Sequence, residues 1–347
     1  MREHSPVPHG GSSTGRLGTR LLPLTLLCFM ALAPVRGAEA RPPRTLWDLT
    51  AEAQLVVWAD VEEVEESAPP PSGVRSPTDA IARLHVRETW KGSEHDGERI
   101  EVHFQPELNG PDDASYEPGF SVLVFLVRER GQWRTPALAD GTRTLPDALA
   151  TAAYRQVVRL ARMTQEEWIH SRIAGRTYDL GVTRLNWQVF AATLPATRRD
   201  GLAGLPSDGA PAHARPRAFL QVEPYLTTEH RALLAASTAK HPLVDDELPM
   251  MLTALRGFAS RDVDRAATNA LEALLQKEPE DPPYWARLAF DLLRERYGER
   301  PVQRTRLLAS PHDPRGTPTP LDEPPEDSLA QQWQRFKQRH NLQPAAQ

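Results

Sequence analysis

A single cysteine, Cys28, occurs in 347 residues, and it lies in a segment expected to be removed on export. The remaining chain then has no disulfide and must be held by packing alone. After residue 40 there is also no G-x-S-x-G, no H-E-x-x-H and no thiol nucleophile. Catalytic groups can be assembled from distant positions, so these absences weigh against an enzyme without abolishing one. No run after Ala40 approaches the ~18 apolar residues of a membrane span, and the best one, Val122 to Val127, is strand-length. Lys and Arg total 41 against 46 for Asp and Glu, a net charge of −5. An acidic chain has no general pull toward nucleic-acid backbones or anionic lipid, so neither is expected as a partner.

The start of the chain is its best-marked feature. Arg16 and Arg20 precede an apolar run from Leu21 to Leu32, followed by Ala38-Glu39-Ala40. This order of basic region, apolar core and small-residue site predicts a secretory signal peptide over residues 1–40. Pro23 and Pro34 bracket the core, and Leu26-Leu27 before Cys28 do not match a lipid-attachment signal. The expected destination is the periplasm or the outside of the cell.

Beyond the leader the apolar pattern changes period. From Leu46 to about Arg134 it favours alternation, and from Pro146 onward it favours 3.6, which predicts an α+β chain. A short helix near Leu46 to Ala53 leads into a strand with Leu55, Val57, Ala59 and Val61 on one face, and a phase slip to Val64 marks a bulge. Ser67 to Pro77 reads as an exposed loop. The strands Ile81 to Trp90 and Arg99 to Gln105, joined by a polar, glycine-bearing segment, read as a hairpin. Phe120 to Val127 is apolar on both faces and needs cover on both sides.

These elements carry a resemblance. The first strand with Ala59-Asp60-Val61, the strand ending Trp90-Lys91-Gly92, and the Pro118-Gly119 turn into Val122-Leu123-Val124-Phe125-Leu126 resemble the small OB-type barrels of netrin-like, metalloprotease-inhibitor-like modules in exported bacterial proteins. The resemblance covers residues 46–135 and implies a small antiparallel barrel with a binding role. Animal inhibitors of that family act through an N-terminal cysteine, and none exists here after residue 40, so inhibition is not implied.

The expected organisation is a barrel-like domain over 41–145, a helical connector over 146–200, a flexible loop over 201–216, a helical subdomain over 217–300, and a proline-rich tail over 301–347 with a short terminal helix. Within the helical part, Thr228 and Asp281 are expected caps, and Leu288 an inward residue. Short loops predict helical hairpins, and the pair from Asp245 to Gln276 resembles a HEAT-like unit. In the tail, Trp333 and Phe336 share one face of a helix from Leu329 to His340.

Three constellations bear on chemistry. His85, Glu101 and His103 fall on outward strand positions, with His95, Asp96 and Glu98 in the intervening loop. Imidazole and carboxylate suit zinc, yet Arg83 and Arg87 share that face and oppose a cation. Asn109, Asp112, Asp113 and Glu117 form an all-oxygen set without calcium-loop spacing. Trp168, Arg172, Arg176, Tyr178, Arg184 and Trp187 interleave aromatic and basic residues, which reads as helix core with solvated arginines. The expected function is that of an exported, non-enzymatic protein-binding module without cofactor. The alternative is a metal-dependent exported hydrolase using His85, Glu101 and His103.

Overall fold

The computed structural model describes residues 44–66, 80–93, 95–105, 116–136, 141–203, 205, 225–241, 243, 245–278, 280–299 and 327–342. The expected signal peptide, the expected loop from Ser67 to Pro77, Asn109 to Asp113 and most of the proline-rich tail lie outside them.

Helix α1 (Leu46–Glu52) opens the described chain, capped by Thr45, whose Oγ1 accepts from the Asp48 N–H. Six strands follow: β1 (Leu55–Glu66), β2 (Ala80–Lys91), β3 (Arg99–Phe104), β4 (Ser121–Glu129), β5 (Gln132–Arg134) and β6 (Thr142–Thr144). Their order is β1-β2-β3-β5-β4, and β4 pairs back onto β1, so five strands close a barrel while β6 adds to β4. The expected antiparallel barrel is a mixed one. β5 turns back tightly from β4 and closes the barrel beside β3, where the two strands run parallel. The phase slip in β1 is a bulge at Glu62: Val61 opposes Leu84 and Glu63 opposes the next residue, Arg83.

β4 has the two-sided cover that its sequence demands. Val122, Val124 and Leu126 point into the barrel with Val57, Leu84 and Val102. Leu123 and Phe125 point outward into a second apolar layer with Leu46, Leu49, Val157 and Trp187. Gly92, after the Trp90-Lys91 pair, has φ +100°, and a Cβ there would lie 2.6 Å from the Gln54 carbonyl oxygen. Glycine is therefore the residue that lets β2 turn against the start of β1.

Eight more helices follow among the described residues: α2 (Ala148–Ile173), α3 (Leu180–Thr193), α4 (Arg198–Leu202), α5 (Thr228–Lys240), α6 (Glu247–Ala254), α7 (Arg261–Lys277), α8 (Tyr284–Arg296) and α9 (Leu329–His340). α2 lies on α1, α3 and β2. α3 is apolar around much of its circumference. Trp187 and Ala191 enter the layer beneath the barrel, while Leu185, Val189 and Ala192 enter the core of the later helices. A helix with two apolar faces must be buried between two layers, and this one joins barrel and helices into one stack. Beyond it, α6 packs on α4 and α8, and α7 on α5 and α8.

Several boundaries differ from the sequence reading. Thr227, not Thr228, caps α5 through a capping box with His230. α8 begins at Tyr284 with Pro283 as its N-cap and no side-chain cap. Asp281 and Pro282 each precede a proline, which disfavours helical backbone, so the helix starts two residues later than Asp281 would set it. Its buried stripe is Ala286, Ala289, Phe290, Leu292 and Leu293, and Leu288 is exposed. The expected loop from 201 begins later, because Gly201 and Leu202 are buried in α4; residues 206–216 lie outside the described set. α9 docks as its sequence implies. Ser328 and Gln331 form its capping box, Trp333 and Phe336 each meet Phe290 edge to face, and Glu272 accepts from Trp333 Nε1 at 2.5 Å and Lys337 Nζ at 2.6 Å.

Candidate functional site

The outward face of β1, β2 and β3 is a lattice of opposite charges. Alternation places Asp60, Arg83, His85, Arg87, Arg99, Glu101 and His103 away from the filled barrel, and the bulge at Glu62 brings Glu62, Glu63 and Glu65 to the same surface. Arg83 sits among three carboxylates, at 2.5 Å from Glu63, 3.2 Å from Glu65 and 3.4 Å from Glu101. Arg99 grips Glu62 through two bonds of 2.7 and 3.0 Å. Arg87 donates to Asp60 at 2.6 Å, and Ser121 Oγ donates to the other carboxylate oxygen at 2.5 Å. Burial by itself would raise the Asp60 pKa, but these two hydrogen bonds and the neighbouring positive charge hold it below the ordinary range. For exposed Glu62 the hydrogen bond from Arg99 is the main cause of a lowered pKa.

The register decides what the sequence candidates can do together. His103 opposes Ile81, Glu101 opposes Arg83, and His85 opposes Arg99. The two imidazoles are thus four positions apart along the sheet, roughly 13 Å at ~3.3 Å per residue, with the Arg83–Glu101 pair between them. Glu101 is brought to a guanidinium rather than to either imidazole. His95 is held locally, its Nδ1 2.6 Å from Glu98 and its Nε2 3.1 Å from Ser93 Oγ, while Asp96 accepts from the Thr89 N–H at 2.7 Å and shapes the turn. Among the described residues no group of three or more His, Cys, Asp or Glu is gathered for a metal ion. Of the all-oxygen set, only Glu117 is described.

The aromatic and basic interleaving separates into different environments. Trp187 is buried and donates from Nε1 to the Val157 carbonyl at 2.9 Å. Arg184 pairs with Asp48 at 2.9 Å. Arg172 lies over Trp168, 5.1 Å from the ring centre.

A second polar cluster, not singled out by sequence, lies where α4 meets both the barrel and α6. Asp200 Oδ1 accepts from the Leu46 N–H at the start of α1 and from Arg143 of β6, both at 3.1 Å. On the other side Arg199 pairs with Asp246 at 3.0 Å, and Arg198, 3% exposed, reaches Glu247 at 3.5 Å. Three successive residues therefore fasten α4 in two directions. Burial, then the neighbouring Asp245 and Asp246, push the Glu247 carboxyl up from 4.5 to about 7, and Arg198 only partly offsets this. The folded state holds the proton more tightly than the unfolded chain. The contribution of Glu247 is therefore fully present below pH ~4.5 and lost as pH rises through about 7. Glu247→Gln should flatten this part of the pH profile by about 2 kcal/mol, allowing for partial solvent screening; urea unfolding of both proteins at pH 5 and pH 8 measures it.

Clefts of two kinds open on the later helices. One, of about 310 Å³, holds Arg256, Asp264, Glu295 and Arg296. Its charges are matched to one another: Arg296 lies 2.6 Å from Asp264, and Arg256 lies 3.0 Å from Glu295. The other, of about 210 Å³, is lined mainly by apolar groups of Leu202, Pro249, Met250 and Leu288. The sequence also contains an S-x-x-K at Ser237 to Lys240. Ser237 is buried late in α5 with its hydroxyl donating to the Thr193 carbonyl at 2.9 Å, and Lys240 is exposed in the last turn, a helix-packing arrangement with no cleft at the hydroxyl among those described. No protein-family model matches this sequence, and no curated protein matches it.

Proposed function

We propose that this chain is an exported, non-enzymatic binding protein, acting in the periplasm or outside the cell, whose charged barrel face docks on another exported or envelope protein. The observation that carries the reading is the contrast between the two sides of the same strands. The barrel interior is filled by Leu55, Val57, Ala59, Leu84, Val86, Val102, Val122, Val124 and Leu126, all at most 1% exposed. A ligand must therefore meet the outside. There, carboxylates outnumber guanidiniums, and the side chains are pre-ordered by mutual ion pairs, which lowers the cost of fixing them on binding. The partner best suited to this face carries a complementary basic surface. The closed order β1-β2-β3-β5-β4 supports an OB-like barrel of the netrin-like kind for residues 46–135, since five strands closing with a crossover are that barrel's plan.

Capture from cross-linked envelope and medium fractions, with a C-terminal tag on the protein, tests the reading. Wild type should retain a reproducible partner. A Glu65→Gln/Glu101→Gln variant, which neutralises two exposed carboxylates without changing their shape, should retain at least about fivefold less of it at low salt. Bait alone in every fraction, or capture indifferent to the double substitution, would sink the proposal.

A further inference from the structure

Helix α2 buries Ala150, Tyr154, Val157, Val158, Ala161 and Thr164 toward the barrel. The opposite side carries Leu149, Leu160 and Met163 at 80, 37 and 51% exposure. Leu149, Ala153, Gln156, Leu160, Met163, Glu167 and His170 recur at alternating spacings of four and three, the spacing of a seam that packs on another helix.

The charges on this side are distinctive. Arg155 and Arg162 turn toward the body of the protein, where Arg155 pairs with Glu88 and Arg162 donates to the Trp90 carbonyl at 2.8 Å. Arg159 and Glu167, both exposed, make no ion pair or hydrogen bond among the described residues. They lie four positions to either side of Met163, and Gln156 and His170 lie seven positions to either side.

That arrangement is self-complementary under a two-fold axis, and we infer that α2 is a dimerisation helix that pairs antiparallel with α2 of a second copy, centred on Met163. The axis brings Arg159 of each copy level with Glu167 of the other, twice, and Gln156 level with His170, twice. Met163 meets its own symmetry mate, and Leu160 of each copy packs beside it. An isologous contact of this kind closes on itself and stops at two copies. A parallel arrangement in register would set Arg159 against Arg159 and Glu167 against Glu167, so the charges also select the orientation. The inference is independent of what the barrel face binds.

A single helix-on-helix contact lies at the small end of specific interfaces, so a dissociation constant of roughly 1–100 µM is expected. Sedimentation equilibrium of the purified protein across that range should show a monomer–dimer equilibrium. Arg159→Glu and Glu167→Arg should each weaken it about tenfold or more by opposing like charges, and the double swap Arg159→Glu/Glu167→Arg should restore it. Both positions are exposed, and far-ultraviolet circular dichroism checks that each variant is folded. A protein that stays monomeric throughout the range overturns the inference. So does a dimer indifferent to the single reversals, or one that the double swap fails to rescue.

Discussion

Asp200→Ala is expected to lower the unfolding free energy by about 3 kcal/mol, because removing one member of a buried ion pair strands the other. Asp200 is 9% exposed and serves two donors with one oxygen, the Leu46 N–H and the Arg143 guanidinium. Arg143 retains bonds to the carbonyls of Thr142 and Arg44 at 3.0 and 3.4 Å, which keeps the loss toward the lower end of the usual range. Asp200→Asn keeps an acceptor for Leu46 and loses only the charge, so its cost should fall to about half. Urea titration of the three proteins checks the order wild type, Asn, Ala. Equal stability of wild type and alanine would show that α4 does not fasten the barrel.

The neighbouring residue gives the second large effect. A Cβ on Gly201 would stand 2.3 Å from the Ala192 nitrogen, 2.5 Å from the Gln188 carbonyl oxygen and 2.8 Å from the Ala191 carbonyl carbon. All three are backbone atoms of α3, so no side-chain rotation relieves the clash and α4 must move away bodily. Gly201→Ala should therefore cost about 3 kcal/mol, at or above the upper end for overpacking. Because the shift separates Arg198 and Asp200 from their partners, the cost should not add simply to that of Asp200→Ala. A double-mutant cycle by chemical denaturation reads this directly: a sum equal to the two separate losses would place the substitutions in independent environments.

The same glycine shows where the sequence ran out. Gly201 opens a stretch rich in glycine, proline, serine and alanine, and local composition makes it a loop. In the fold it is the point where two helix backbones touch. Absence of a side chain serves flexibility or close approach equally well, and only the neighbouring helix tells them apart. His85, Glu101 and His103 pose the same problem across strands. Their outward alternation was legible, but the β2–β3 register, which gives Glu101 to Arg83 and separates the imidazoles, is a property of pairing rather than of either strand.

Legible along the chain were local, periodic features: the four longer strands of the barrel, though not β5, the bulge after Val61, the two-sided burial of β4, and the apolar face of α9 with Trp333 and Phe336. Each follows from side-chain spacing along one element, which the backbone repeat translates directly into direction. Tertiary structure decided the parallel closure of β5 on β3, the place of α3 between two cores, and the clasp of Arg198, Arg199 and Asp200. These join residues as many as 154 positions apart, and spacing along the chain carries no information about such meetings until the packed layers bring them together.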